Sequence, residues 1–382
     1  MEKFCVFCGQ RPKQKNKEHI IPKWLIELTG DPNRVGRFGI DKRVLSSGLR
    51  NREFAIDQFT CPSCSDCNSK FSDLEDASKT IITKLINWEP LSDLDFDILL
   101  DWFDKVRIGL WLACYYLDNN ISGIYPKFYI SNRIGTQDRM LAIYQADYER
   151  KGLTWIGSDT MAFSFAPCCF SLLVNDVYFT NISTNFLISR RIGFPFPTEG
   201  YNRKEDGLTM FKVTNGLERM ILPLLRKPLK LSGTELYQPI YSFSASMHSG
   251  STESETQFYD TEYVRTHSLD SAKGIGKIFL KTGRKLHPLS HTASLDWIPD
   301  HKHDEATINR DIIIQTMEYQ MHLDELGPSL DSTLSPEEKR YWKRTRQLWR
   351  SINRKWIEFA NKQYQEDTTP TIKSSGRKKP RR

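Results

Sequence analysis

Along residues Ser72 to Trp88, Leu74, Ile81, Ile82, Leu85 and Ile86 recur at helical spacing, which predicts an amphipathic helix. Asp97 to Leu117 is apolar on most of its faces and predicts a buried one. From about residue 125 to 290 the pattern changes. Short runs rich in aromatic and β-branched residues (Lys127 to Ser131, Met140 to Tyr144, Phe170 to Val174, Lys277 to Leu280) alternate with Gly, Asn and Asp, which predicts a mainly β region with interspersed helices. Ser246 to Thr256 is polar and small and predicts a mobile loop. The last element is announced by Ser335-Pro336-Glu337-Glu338, a capping box with proline at the first helical position, and the helix is predicted to run to about Tyr364. Trp342, Thr345, Trp349, Ile352, Trp356 and Phe359 form one stripe on it, expected to pack on the chain's own core. Lys339, Lys343, Arg346, Arg350 and Arg354 occupy much of the rest, as a solvated face or as phosphate contacts.

The N-terminal stretch carries the chemistry. Cys5 and Cys8 form one two-cysteine knuckle, Cys64 and Cys67 another, with Glu18-His19 between them and Asn68 directly after. Two such pairs suit a tetrahedral structural zinc, because each turn presents two soft sulfurs to one ion. Absence of a secretory signal in the sequence favours reduced thiols and zinc over disulfides. Hydrolysis of a phosphodiester needs a base for water and a cation for the developing charge. His19 is the expected general base. Glu18 and Asn68 are the expected oxygen ligands of Mg²⁺ or Mn²⁺. As neighbours on an extended strand, Glu18 and His19 would point to opposite sides unless the chain bends, and Pro22 marks where a ladder must stop.

Phe4 to Gly9, Lys17 to Leu25 and Cys64 to Glu75 together resemble the HNH endonuclease superfamily in its zinc-containing bacterial branch, over roughly the first fifth of the chain. The resemblance implies a ββα-metal finger: a hairpin carrying the histidine, a loop, and a helix starting near the second knuckle. Two positions depart from the family. Where a middle asparagine usually orients the histidine, this chain reads Asp57-Gln58-Phe59-Thr60, with Asp57, Gln58 or the more distant Asn51 as substitutes; Asn68 stands where a last histidine is usual. Cys61 offers a second register for the pairing, and the resemblance selects Cys64 with Cys67, leaving Cys61 as a packing thiol. Asp73 and Glu75 are expected as capping and surface groups.

Composition and charge extend this picture. At 382 residues and 39% hydrophobic, the chain can bury real cores in two or three domains. Its longest nearly unbroken apolar stretch, Ile108 to Leu117, is half a membrane span, so no membrane partner is expected and the location is read as cytoplasmic. Residues 335–382 carry fifteen Lys or Arg against five Asp or Glu, and residues 1–60 twelve against seven. The basic ends predict phosphate contacts, with Lys13, Lys15, Lys17, Arg350 and Arg354 as candidates and DNA ahead of RNA as partner. A regulatory protein partner is a further expectation for a nuclease. Lys373 to Arg382 reads as a disordered cationic tail, and the histidines 287, 291, 301 and 303 as no second metal site. The expected fold is α+β: residues 1–90 an HNH zinc finger on a helical scaffold, 91–330 an α+β body with a mainly β middle, 331–366 a long basic helix, and 367–382 the tail. The rival function is a noncatalytic zinc module binding nucleic acid or protein, and an RNase with the same site geometry is a third.

Overall fold

In a computed structural model the described residues are 2–40, 51–116, 120, 123–194, 196–202, 209–213, 219–220, 224, 231–240, 242–244, 257–259, 275–289, 297–326 and 335–368. The loop expected at 246–256, His291 and the basic tail lie outside them. The architecture is mixed α/β, with a sheet-rich middle and a long C-terminal helix.

The N-terminal part starts with the first cysteine turn and β1 (Lys15–His19). Pro22 ends the extended run, and α1 (Lys23–Leu28) follows at once. A hairpin of β2 (Val35–Ile40) and β3 (Asn51–Ala55) leads through a 3-10 turn at Ile56–Gln58 into β4 (Thr60–Cys64). β4 pairs antiparallel with β1, with Glu18 opposite Cys61 and His19 opposite Thr60. It runs straight into α2 (Ser65–Lys70) and α3 (Ser72–Ile86), which buries Ile81, Ile82 and Leu85 as its periodicity predicts. α4 (Asp93–Tyr116) starts four residues before the expected Asp97 because Ser92 and Asp95 cap it reciprocally, Asp95 N–H to Ser92 Oγ at 3.1 Å and Ser92 N–H to Asp95 Oδ2 at 3.0 Å.

The middle holds an eight-stranded sheet. Its strands are β5 (Asp138–Ala146), β6 (Leu153–Ile156), β7 (Cys169–Val174), β8 (Val177–Thr184), β11 (Thr234–Gln238), β14 (Phe279–Thr282), β15 (Lys285–Pro288) and β16 (Lys302–His303). The remaining pairs lie outside it: β9 (Pro197–Asn202) with β10 (Thr209–Val213), and β12 (Ser242–Ser244) with β13 (Gln257–Tyr259). The order is β15-β14-β11-β5-β8-β7-β6, antiparallel throughout, with β16 alone parallel to β5. Between the sheet strands lie the short helices α5 (Met161–Phe165) and α6 (Leu187–Ile192). β5, β7 and β8 are buried at every position because both faces of the sheet are covered. Leu141 and Ile143 join the core that contains α4, while Met140, Ala142 and Tyr144 join the core of α7 (Glu305–Leu326). α8 (Pro336–Thr368) packs outside α7 and against α5.

Two expectations need correcting, and one element was unforeseen. Lys127 to Ser131 is no strand; Ile130–Asn132 is a 3-10 turn, and the N–H groups of Ile130 and Ser131 donate to the carbonyls of Val6 and Phe7 at 3.0 Å each, so the first cysteine turn satisfies them. α7 was not anticipated, although Ile308, Ile312, Tyr319 and Leu323 fill its sheet-facing side. On α8 the buried positions are Trp349, Asn353 and Ala360, while Phe359 is 52% exposed, so the stripe turns away from its expected line at the last residue. Its capping box forms as read, Ser335 N–H to Glu338 Oε2 at 2.8 Å and Glu338 N–H to Ser335 Oγ at 3.3 Å.

Candidate metal centre and the histidine beside it

The sulfurs of Cys5, Cys8, Cys64 and Cys67 lie within 4.8 Å of one another, and these four residues could hold a metal ion. They are the one such cluster among the described residues. The fit rests on local structure. Gly9 has φ +75° and donates to the Cys5 carbonyl at 2.8 Å; a Cβ there would come 2.0 Å from the Tyr129 ring, so both backbone and space require glycine. Cys64 N–H points at Cys5 Sγ at 3.2 Å and Lys13 N–H at Cys64 Sγ at 3.4 Å, which fixes both sulfurs in the cluster. Burial and the adjacent Cys8 and Cys5 thiols push Cys67 up to about 12, a cost that a cation removes. At metal–sulfur distances of about 2.3 Å a tetrahedron places its sulfurs about 3.8 Å apart, within the spread observed here. All eight cysteines are free thiols. Cys61 stays out of the cluster, buried, with burial and then Glu18 raising its pKa far above the usual thiol value.

His19 sits at the end of β1, half-buried. Its Nε2 lies 3.1 Å from the backbone carbonyl of Asp57 in the 3-10 turn before β4. That carbonyl can only accept, so Nε2 carries the proton and Nδ1 keeps the lone pair. Burial and then Lys23 lower the imidazole's pKa, with the Asp57 carbonyl partly opposing them, so the neutral ring dominates near neutrality. A backbone carbonyl thus orients the ring at the place where an asparagine was missing. Asn51 pairs with Ile40 in the β2/β3 hairpin.

Glu18 goes the other way. It is 6% exposed and accepts from Lys105 Nζ on α4 at 2.6 Å. Lys105 also bonds Glu75 on α3, whose other oxygen accepts from Trp24 Nε1 at 2.8 Å and Trp102 Nε1 at 3.4 Å. Glu75 is therefore part of a buried clamp rather than a surface group, whereas Asp73 is exposed. One lysine faces two carboxylates. Burial pushes Lys105 down, but Glu75 and Glu18 together push it up; for Glu18, burial outweighs Lys105 and the pKa rises. Asn68 lies half-buried on α2, which packs against β1 and β4.

Lys13 and Lys17 are exposed beside this assembly. A recess of about 780 Å³ runs along β1 and β4, lined by Lys3, Arg11, Lys17 and Thr60 among others. Arg354 is exposed and Arg350 half-buried on α8. Among the described residues no helix is long and apolar enough to cross a membrane. No family model, curated protein or solved structure matches the chain.

Sequence reasoning missed Lys105 and read Glu75 as a surface group; Asp57 was among the substitutes for the asparagine, without its carbonyl being set apart from Gln58 or Asn51. Lys105 had a signal: Asp101, Asp104, Lys105 and Arg107 stand inside an otherwise apolar helix, and charges there must be paired. A backbone carbonyl has none.

Proposed function

We propose that this chain is a metal-dependent endonuclease of HNH type, hydrolysing phosphodiester bonds in nucleic acid, with DNA ahead of RNA. The observation that carries the reading is the order of parts around the four cysteines: β1 ending at His19, its antiparallel partner β4, and α2 with Asn68 following without a break. Zinc is the metal this reading places on the four thiols, as a staple rather than a reagent. His19, held by Asp57, takes a proton from water at Nδ1, and its lowered pKa keeps that nitrogen available. The cationic recess beside β1 would follow a phosphate backbone. Glu18 and Asn68 are the donors assigned to Mg²⁺ or Mn²⁺, whose chemistry would be to neutralise the charge gained at phosphorus and on the leaving oxygen. Glu18 can serve there only by exchanging Lys105 for that ion, since it faces away from His19.

That last contact favours a second reading, in which the finger is a zinc-stapled binding module and Glu18 is a structural anion. Incubation of purified protein with plasmid DNA and with a structured RNA, with Mg²⁺ or Mn²⁺ and with EDTA, separates the two. Metal-dependent cleavage supports the nuclease; zinc-loaded, folded protein that binds but cuts neither polymer supports the module.

A further inference from the structure

A cavity of about 360 Å³ opens between α4, the loop before β7, the end of β8 and α8. Its volume lies in the range of small-molecule sites. Three arginines line it (Arg107, Arg133 and Arg346), and among its lining residues there is no carboxylate. Arg107 is accounted for: Asp104 pairs with it and Asn181 Oδ1 accepts from its Nε at 3.1 Å. Arg133 is not. Its guanidinium lies over the Phe128 ring, 3.8 Å from the centroid, and Phe128 is itself stacked on Trp111 at 4.5 Å. Nε and Nη1 of Arg133 are closed off from solvent and meet no acceptor. Thr184 Oγ1, of a residue that also lines the cavity, is buried and equally without a bond. Buried polar groups left unmatched are uncommon and costly, so a cavity holding two of them is shaped for something that supplies acceptors.

Part of the lining is aromatic. Phe165, 46% exposed, packs against Trp342 at 4.9 Å and Trp349 at 4.3 Å. A guanidinium fixed on a ring, in a cavity with further aromatic lining, offers stacking for a planar ring and paired N–H donors for an anionic group. Gln137 and Asn185, joined at 2.9 Å, add amides at the rim.

We propose that this cavity binds a nucleoside monophosphate, with the base stacked against the aromatic lining and the phosphate accepting from Arg133 and Thr184. It is separate from the residues assigned to phosphodiester hydrolysis and stands whether or not the finger cuts. A free aromatic carboxylate shares the ring and the charge but lacks the phosphate's oxygens, and inorganic phosphate lacks the ring.

Calorimetric titration of the full chain with the four ribonucleoside monophosphates, the nucleosides, inorganic phosphate and benzoate tests this. At least one monophosphate should bind, with the nucleoside and inorganic phosphate each weaker by roughly ten- to a hundredfold. Arg133→Gln should weaken binding by a similar factor while raising the melting temperature, because it removes a buried charge whose Nε and Nη1 meet no acceptor. Thr184→Val provides a second variant of nearly the same shape, expected to weaken binding less. Failure of every monophosphate to bind folded protein up to about 1 mM, tighter binding of benzoate, or undiminished affinity in Arg133→Gln would each overturn the proposal.

Discussion

α4 clamps two parts of the molecule with opposite charge arrangements. Toward the sheet it presents Asp97, Asp101 and Asp104 to Arg139 of β5, with Asp97 at 3.1 Å and Asp104 at 3.4 Å, and Gln238 accepts from the same guanidinium at 2.9 Å. Toward the N-terminal segment it presents a single cation, Lys105, to Glu18 and Glu75. In both clusters carboxylates outnumber the cation they share. The difference is in what else holds the region together. The sheet has a core on both faces, whereas the N-terminal segment has a metal-suited cysteine cluster and one side of a shared core. Pieces too small to bury enough surface depend on such staples.

The sharpest break of this comparison is removal of the staple. Cys64→Ser, or chelation of the wild type, should forfeit much of the about 10–16 kcal/mol that structural zinc binding contributes. Because Cys5, Ile20 and Leu25 share a core with α4, the whole chain should melt earlier in one transition, followed by calorimetry with metal analysis. Two separate transitions would show that α4 does not couple the regions. Next come the clamps. Arg139→Met strands the fully buried Asp104 and Lys105→Met strands the buried Glu18, and each should cost about 3–5 kcal/mol in denaturant unfolding.

These clamps also mark where sequence reading stopped. The cysteine pairs, α3 and the capped start of α8 were legible because each is written within a few neighbouring residues. The partners of Lys105 lie 87 and 30 positions away, and those of Arg139 up to 99, so only the folded chain brings them together. Glu18 shows the cost: motif spacing pairs it with His19, while strand alternation sends it to the opposite face. The core side of β5 and the existence of α7 were hidden for a related reason. When both faces of a strand are buried, its alternation disappears from the sequence.

Smaller effects sharpen the comparison further. Glu18 has its folded pKa raised above 4.5, so its stabilising contribution is complete below that pH and is lost as pH rises through the folded value. Melting temperature measured from acid to neutral pH should therefore carry a downward slope from this residue, and Glu18→Gln should flatten it; an unchanged slope would mean that Lys105 fully compensates the carboxylate. At the weak end, Phe359→Ala on the exposed side of α8 should change stability by no more than about 0.5 kcal/mol, against about 3–5 kcal/mol for the buried Trp349→Ala.

His19 ends β1, held by the backbone carbonyl of Asp57 and paired with Thr60 of β4. The decisive measurement is nicking of supercoiled DNA by His19→Ala beside wild type, with zinc content and melting temperature recorded on the same samples. The account predicts that cleavage disappears while zinc content and stability hold. Equal cleavage by a zinc-loaded, folded His19→Ala protein would contradict it.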